Sequence, residues 1–177
     1  SPKVREHAIR HAEAFLDSDE TVMDAIVAQL SDPTPQIRYQ LAFSLGAATG
    51  GKRNEALAQL LLADLDDEWI QLAAKSSLYT GAGEVLQLVL ANDAFRGNAK
   101  APALVEELAK YAGATGSRET LASTVNDIEQ LQGADEALAQ AAVRGIISGM
   151  QLGGQGTLAP EVLAGSAQAK ALLDGMI

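Results

Sequence analysis

Cysteine is absent from the 177 residues, and with it go disulfides, thiol catalysis and Cys-ligated zinc. Aromatic residues make up only 4%, while alanine and leucine dominate, a balance that favours close-packed helices over a β-sandwich. Cationic residues are also scarce: 13 Lys and Arg stand against 23 Asp and Glu, for a formal net charge of −10. The deficit is spread along the chain, with 9 basic and 14 acidic residues in 1–100 and 4 and 9 in 101–177. No basic stripe is left to hold a phosphate backbone or an anionic lipid surface, which counts against nucleic acid and membrane as partners. No apolar run approaches the roughly 20 residues that cross a bilayer. The first residues lack a charged-then-apolar signal segment, and the opening on Ser1-Pro2 at a helix start reads as a piece of a longer, multidomain protein.

What is present is a repeat. In Asp32 to Gly46, Thr34 reads as an N-cap and Pro35 as the first helical residue, where a missing N–H costs nothing; Ile37, Leu41 and Leu45 then fall on one face, and Gly46 closes the helix. Ser1, Thr34 and Asp67 lie 33 apart, followed by Pro2, Pro35 and Glu68 and by Val4, Ile37 and Ile70. Adding one residue per step carries the frame to Pro102, Leu104 and Leu108 and to Asp135, Leu138 and Ala142. Ala101 stands where the fourth start wants a capping oxygen.

Second helices are expected between these five: Glu20 to Leu30, Asn54 to Leu65, a short one on Val85 to Leu90, one capped by Ser117, and a last one opened by Pro160 with Leu172 and Leu173 inward. Gly46, Gly50-Gly51, Gly81, Gly83, Gly113, Gly116, Gly153-Gly154 and Gly156 are expected to mark helix ends. A helix pair cannot bury its apolar face alone, but stacked pairs can. The expectation is an all-α, right-handed α-solenoid of about five antiparallel pairs in one domain over 1–177, with pairs at 1–33, 34–66, 67–100, 101–134 and 135–177. The polar stretch Asn92 to Lys100 is expected as a hinge or exposed loop.

Asp32-Pro33-x-Pro35-x-Ile37-Arg38-x-x-Leu41-Ala42-x-x-Leu45-Gly46 resembles a HEAT repeat, related to armadillo repeats, and Pro2-x-Val4-Arg5-x-x-Ala8 looks like a second copy. Asp66-Asp67-Glu68-Trp69-Ile70-Gln71 resembles a third, with Gln71 where an Arg is usual. These runs also look like the helical segment of large bacterial proteins described as putative membrane-bound dehydrogenases, which join a β-propeller, a HEAT-like segment and a c-type cytochrome. That resemblance implies an exported, periplasmic parent with its redox chemistry in other domains; no Cys-x-x-Cys-His occurs here. Arg5, Asp32, Pro35, Ile37, Arg38, Leu41 and Leu45 are read as structural repeat positions, with Arg38 and Asp32 stitching neighbouring pairs.

Candidate chemistry is thin. His7 and His11 share a helix face at i, i+4, but Ala8-Ile9-Arg10 between them lacks the Glu of a zinc protease and adds a charge, so two exposed polar residues is the better reading. Asp64-x-Asp66-Asp67-Glu68 fails the calcium-loop pattern and reads as a helix start. Glu106 and Glu107 are adjacent and point apart, and the glycine runs match no phosphate loop. No catalytic, cofactor or metal residue is assigned.

Trp69 is different, because its frame counterparts Lys3, Gln36, Ala103 and Ala137 are polar or small. It is either a cover for the joint between pairs or an interface anchor with Tyr39 and Tyr79 nearby, and Gln71 is the other departure to watch. The expected role is a non-catalytic scaffold for a protein partner or neighbouring domains, with acidic second helices, Asp24, Glu55, Asp64, Glu84, Asp93, Asp127 and Glu129, selecting basic partners. The alternatives are a HEAT-like enzyme, such as a tetrapyrrole lyase or an alkyl-base glycosylase, and a self-associating module.

Overall fold

Caps and prolines set the helix starts. The computed structural model describes residues 1–131, 135–164 and 166–167, and every regular element among them is helical. In chain order these are α1 (Pro2–Ala12), α2 (Glu20–Val27), α3 (Pro35–Ser44), α4 (Gly51–Ala63), α5 (Glu68–Ser76), α6 (Ala82–Leu90), α7 (Asp93–Arg96), α8 (Ala101–Thr115), α9 (Arg118–Glu129), α10 (Glu136–Leu152) and α11 (Ala159–Val162). The five first helices are α1, α3, α5, α8 and α10, starting where the repeat frame places them except that α8 begins one residue early, with Lys100 at the N-cap position. The second helices are α2, α4, α6, α9 and α11, although α4 starts three residues before Asn54. Leu172 and Leu173 lie outside the described residues. Among the described residues no helix is long and apolar enough to cross a membrane.

Three local expectations are refined. Thr34 holds the N-cap position, but its hydroxyl accepts from Arg5 Nη2 at 3.3 Å and makes no capping bond; the Thr34 N–H donates to Asp32 Oδ1 at 2.8 Å. Asp67 and Ser117 do cap, accepting from Trp69 and Ile70 N–H and from Thr120 N–H. The Asn92 to Lys100 link contains α7: Asn92 accepts from the Phe95 N–H at 2.9 Å and the Phe95 ring is buried, so the segment has its own cap and anchor. Finally, Gly113 lies inside α8, and Gly46 sits in a 3-10 turn where an added Cβ would meet Ser77 Oγ at 2.8 Å. Close backbone approach explains glycine at Gly113, 2.4 Å from Ile146 O, whereas Gly46 does follow the end of α3 and also sits against the Ser77 side chain.

The chain divides into two compact units, Ser1–Thr80 and Gly81–Ile177, so the third expected pair contributes α5 to the first and α6 to the second. In the first unit α3 lies between α1 and α5. Ile37, Leu41 and Leu45 of α3 and its end, Leu57, Leu60 and Leu61 of α4, and Ile70 of α5 are at most 1% exposed. Cutting any of these leucines to alanine typically costs about 2–5 kcal/mol through lost transfer energy plus a cavity. In the second unit α8 and α10 run in the most extensive helix contact of the molecule, with Leu108, Val143 and Ile146 buried along it.

Arginine and aspartate tie the first unit's pairs. Arg5 Nε lies 2.9 Å from Asp32 Oδ2 as an ion pair that is not aligned as a hydrogen bond, while Arg5 Nη2 donates to Asp32 Oδ1 at 3.3 Å. Arg38 donates from Nε and Nη2 to Asp64 at 2.9 and 2.7 Å and from Nη1 to the Asp32 carbonyl at 2.7 Å. Gln71 keeps only the carbonyl half of this role, donating to Leu61 O at 2.7 Å and Asp64 O at 3.1 Å.

The Thr34 N–H, aided by Arg5, holds the Asp32 carboxyl below its ordinary value of 3.8. Because the folded value is the lower one, the stability it contributes is present above that ordinary value and is lost as pH falls through the folded one. Asp32→Asn is therefore expected to lower the urea midpoint at pH 7 and to shrink the further loss between pH 5 and pH 3. An unchanged acid slope would assign that slope to other carboxylates.

Candidate functional site

The inner face of α3 is Ile37, Gln40, Leu41 and Ser44, all buried, so helical geometry turns Gln36, Tyr39 and Phe43 the other way. On α5 the buried set is Ile70, Gln71, Ala73 and Ala74, leaving Glu68, Trp69, Leu72 and Ser76 outward. With α3 and α5 packed together, Pro35, Gln36, Tyr39, Asp67, Trp69 and Ile70 line one open cleft of about 390 Å³. Trp69 is 63% exposed, Leu72 56% and Phe43 45%, in a protein with only seven aromatic residues. The Tyr39 and Phe43 rings meet edge to face with centroids 5.0 Å apart, which fixes Tyr39 beside the cleft.

Asp67 is the one charged residue lining the cleft. Its Oδ1 accepts from the N–H groups of Trp69 at 3.0 Å and Ile70 at 3.1 Å, so the start of α5 and the position of Trp69 are set together. Arg38, one turn from the cleft, is committed to Asp64; that hydrogen bond raises its pKa above the usual guanidinium value.

Trp69 and Tyr39 are thus brought together, while the expected companion Tyr79 and the departure Gln71 lie elsewhere. Gln71 is 9% exposed and turned onto carbonyls at the end of α4. Tyr79 follows α5, with the Arg53 guanidinium carbon 5.7 Å from its ring centre. His7 and His11 are exposed on α1. Among the described residues no three His, Asp or Glu side chains gather as a metal site. The Asp64 to Glu68 cluster is dispersed between an ion pair and a cap. Of the acidic second-helix residues, Asp64 is buried on Arg38, while Asp24, Glu55, Glu84, Asp93 and Asp127 are exposed; Asp24 pairs with Lys52, Asp93 with Arg96, and Asp127 accepts from Gln87.

Sequence reasoning missed Phe43 and Leu72, whose signal was an apolar residue off the buried stripe. It also missed Arg53, which is 0% exposed and donates to the carbonyls of Leu45, Ser77 and Thr80. No short-range pattern distinguishes Arg53 from the neighbouring Lys52, which reaches Glu20 and Asp24 at the surface. No family model, no curated protein and no solved structure matches this chain, so its functional reading rests on the geometry of the cleft.

Proposed function

We propose that this chain is a HEAT-like α-solenoid segment acting as a non-catalytic scaffold, docking a protein partner or a neighbouring domain on the outer face of α3 and α5. The repeat frame and the side-by-side packing of α1, α3 and α5, and of α8 and α10, support the solenoid reading. The exposed Trp69 cleft carries the docking reading. A tryptophan buries more area than any other side chain when covered, and anchors of this kind dominate interface energies. Most of the Trp69 surface stays in water within the first unit, which supports the anchor reading over the cover.

A photoreactive phenylalanine analogue placed at Phe43 or Leu72 is expected to crosslink one defined protein in cells, and Trp69→Ala is expected to abolish the product. Placing the same group at Val4, exposed on α1, supplies the control. Equal products from all three positions, or a product indifferent to Trp69→Ala, would remove this face from the function.

A further inference from the structure

Resting on that reading of the α3 and α5 face, we infer that the Trp69 cleft receives an arginine side chain presented by an extended, basic segment of the protein partner. Its walls suit the stem of a long side chain: Trp69, Tyr39, Pro35 and Ile70 are apolar or aromatic along their surfaces. Its size, about 390 Å³, is near the lower end of ligand clefts and leaves room for a single long side chain.

Charge then selects among long side chains. An aliphatic residue seated in the cleft would strip water from the Asp67 carboxylate and return no partner for it. An anionic residue would be repelled by Asp67 and by exposed Glu68 beside it. A guanidinium can stack on the indole or phenol face while donating to the carboxylate, two contacts that strengthen as water leaves. The start of α5 opposes a cation with roughly half a positive charge. Asp67 and Glu68 together outweigh it. Arg38, next to Tyr39 on α3, is held away from the contact, because each of its three nitrogens already donates to Asp64 or to the Asp32 carbonyl. The molecule already stacks Arg53 on Tyr79, so the pairing is one this chain uses.

Trp69 is the only tryptophan, so its emission reads the cleft directly. The full chain is titrated with an octapeptide carrying two arginines among glycine and serine, and with the same peptide carrying citrulline, which keeps the shape and removes the charge. The arginine peptide is expected to shift Trp69 emission saturably, with affinity falling as salt rises, and the citrulline peptide to bind at least about 10-fold more weakly. Asp67→Asn is expected to weaken the arginine peptide by about 5-fold, the scale of a partly exposed ion pair. Asparagine caps a helix as well as aspartate, so the melting curve serves as the check that α5 is intact.

Equal affinity for both peptides would overturn the arginine assignment while leaving the face as a docking surface. No emission change with either peptide would also overturn it; a retained Trp69-dependent crosslink at Phe43 would then show that the face binds by other chemistry. Loss of that crosslink as well would take away the scaffold reading itself.

Discussion

Gly149→Val is expected to unfold the second unit at a urea concentration where the native chain is intact, and Gly149→Ala to lower its stability by about 2 kcal/mol. A Cβ on Gly149 would lie 2.1 Å from the Lys110 carbonyl oxygen and 2.9 Å from the Ala114 nitrogen. Both are backbone atoms of α8, so no rotamer change relieves the clash and the helices must part. The same is true one turn earlier at Gly145, 2.3 Å from Glu106 O, and one turn later at Gly153, 2.5 Å from Ala114 O. Gly113 of α8 returns the contact, 2.4 Å from Ile146 O. Alanine favours a helix interior over glycine by about 1 kcal/mol, so an effect governed by propensity would have the opposite sign. Gly97→Ala, whose Cβ would meet nothing nearer than Ala94 O at 4.0 Å, provides the comparison and is expected to be near neutral. A rise in the melting temperature for Gly149→Ala would show that α8 and α10 do not touch backbone to backbone.

Replacing Arg53 by methionine is expected to destabilise the first unit by about 3 kcal/mol or more, since several buried acceptors lose their donor at once. The side chain is fully buried, and its donors serve the carbonyls of Leu45 at the end of α3 and of Ser77 and Thr80 beyond α5, together with Asn54 Oδ1. Methionine fills much of the volume but leaves these oxygens without that donor, and an unsatisfied buried acceptor costs about 1–3 kcal/mol. Lysine keeps the charge yet cannot spread donors over a planar fork, so Arg53→Lys is expected to recover only part of the loss. Equilibrium denaturation at neutral pH measures both; a methionine variant within about 0.5 kcal/mol of the native chain would mean that water replaces the guanidinium.

Helix positions were legible because their causes are local. Pro2, Pro35 and Pro102 at helix starts, the capping oxygens of Asp67 and Ser117, and apolar residues every three to four positions all act within a few residues. What escaped depends on partners far along the chain. Nothing near Gly145 or Gly149 announces that Glu106 and Lys110, 39 residues back, will meet their Cα atoms. Gln71 stands out in sequence as a residue where an Arg is usual, but its inward turn follows from the carbonyls of Leu61 and Asp64. For the cleft, Trp69 and Tyr39 stood out by type and frame position. Phe43 and Leu72 did not, since an apolar residue off the stripe looks the same in sequence whether it is covered or bare.

The glycines of α10 also bear on the order in which structure arises. Three glycines in or at the end of 17 helical residues penalise this segment as an isolated peptide, so α10 holds its shape only against α8. During synthesis α8 leaves the ribosome first and stands ready as a template when α10 follows. Reversing that order by circular permutation would present the weaker helix before its support, leaving a nascent apolar segment exposed for longer.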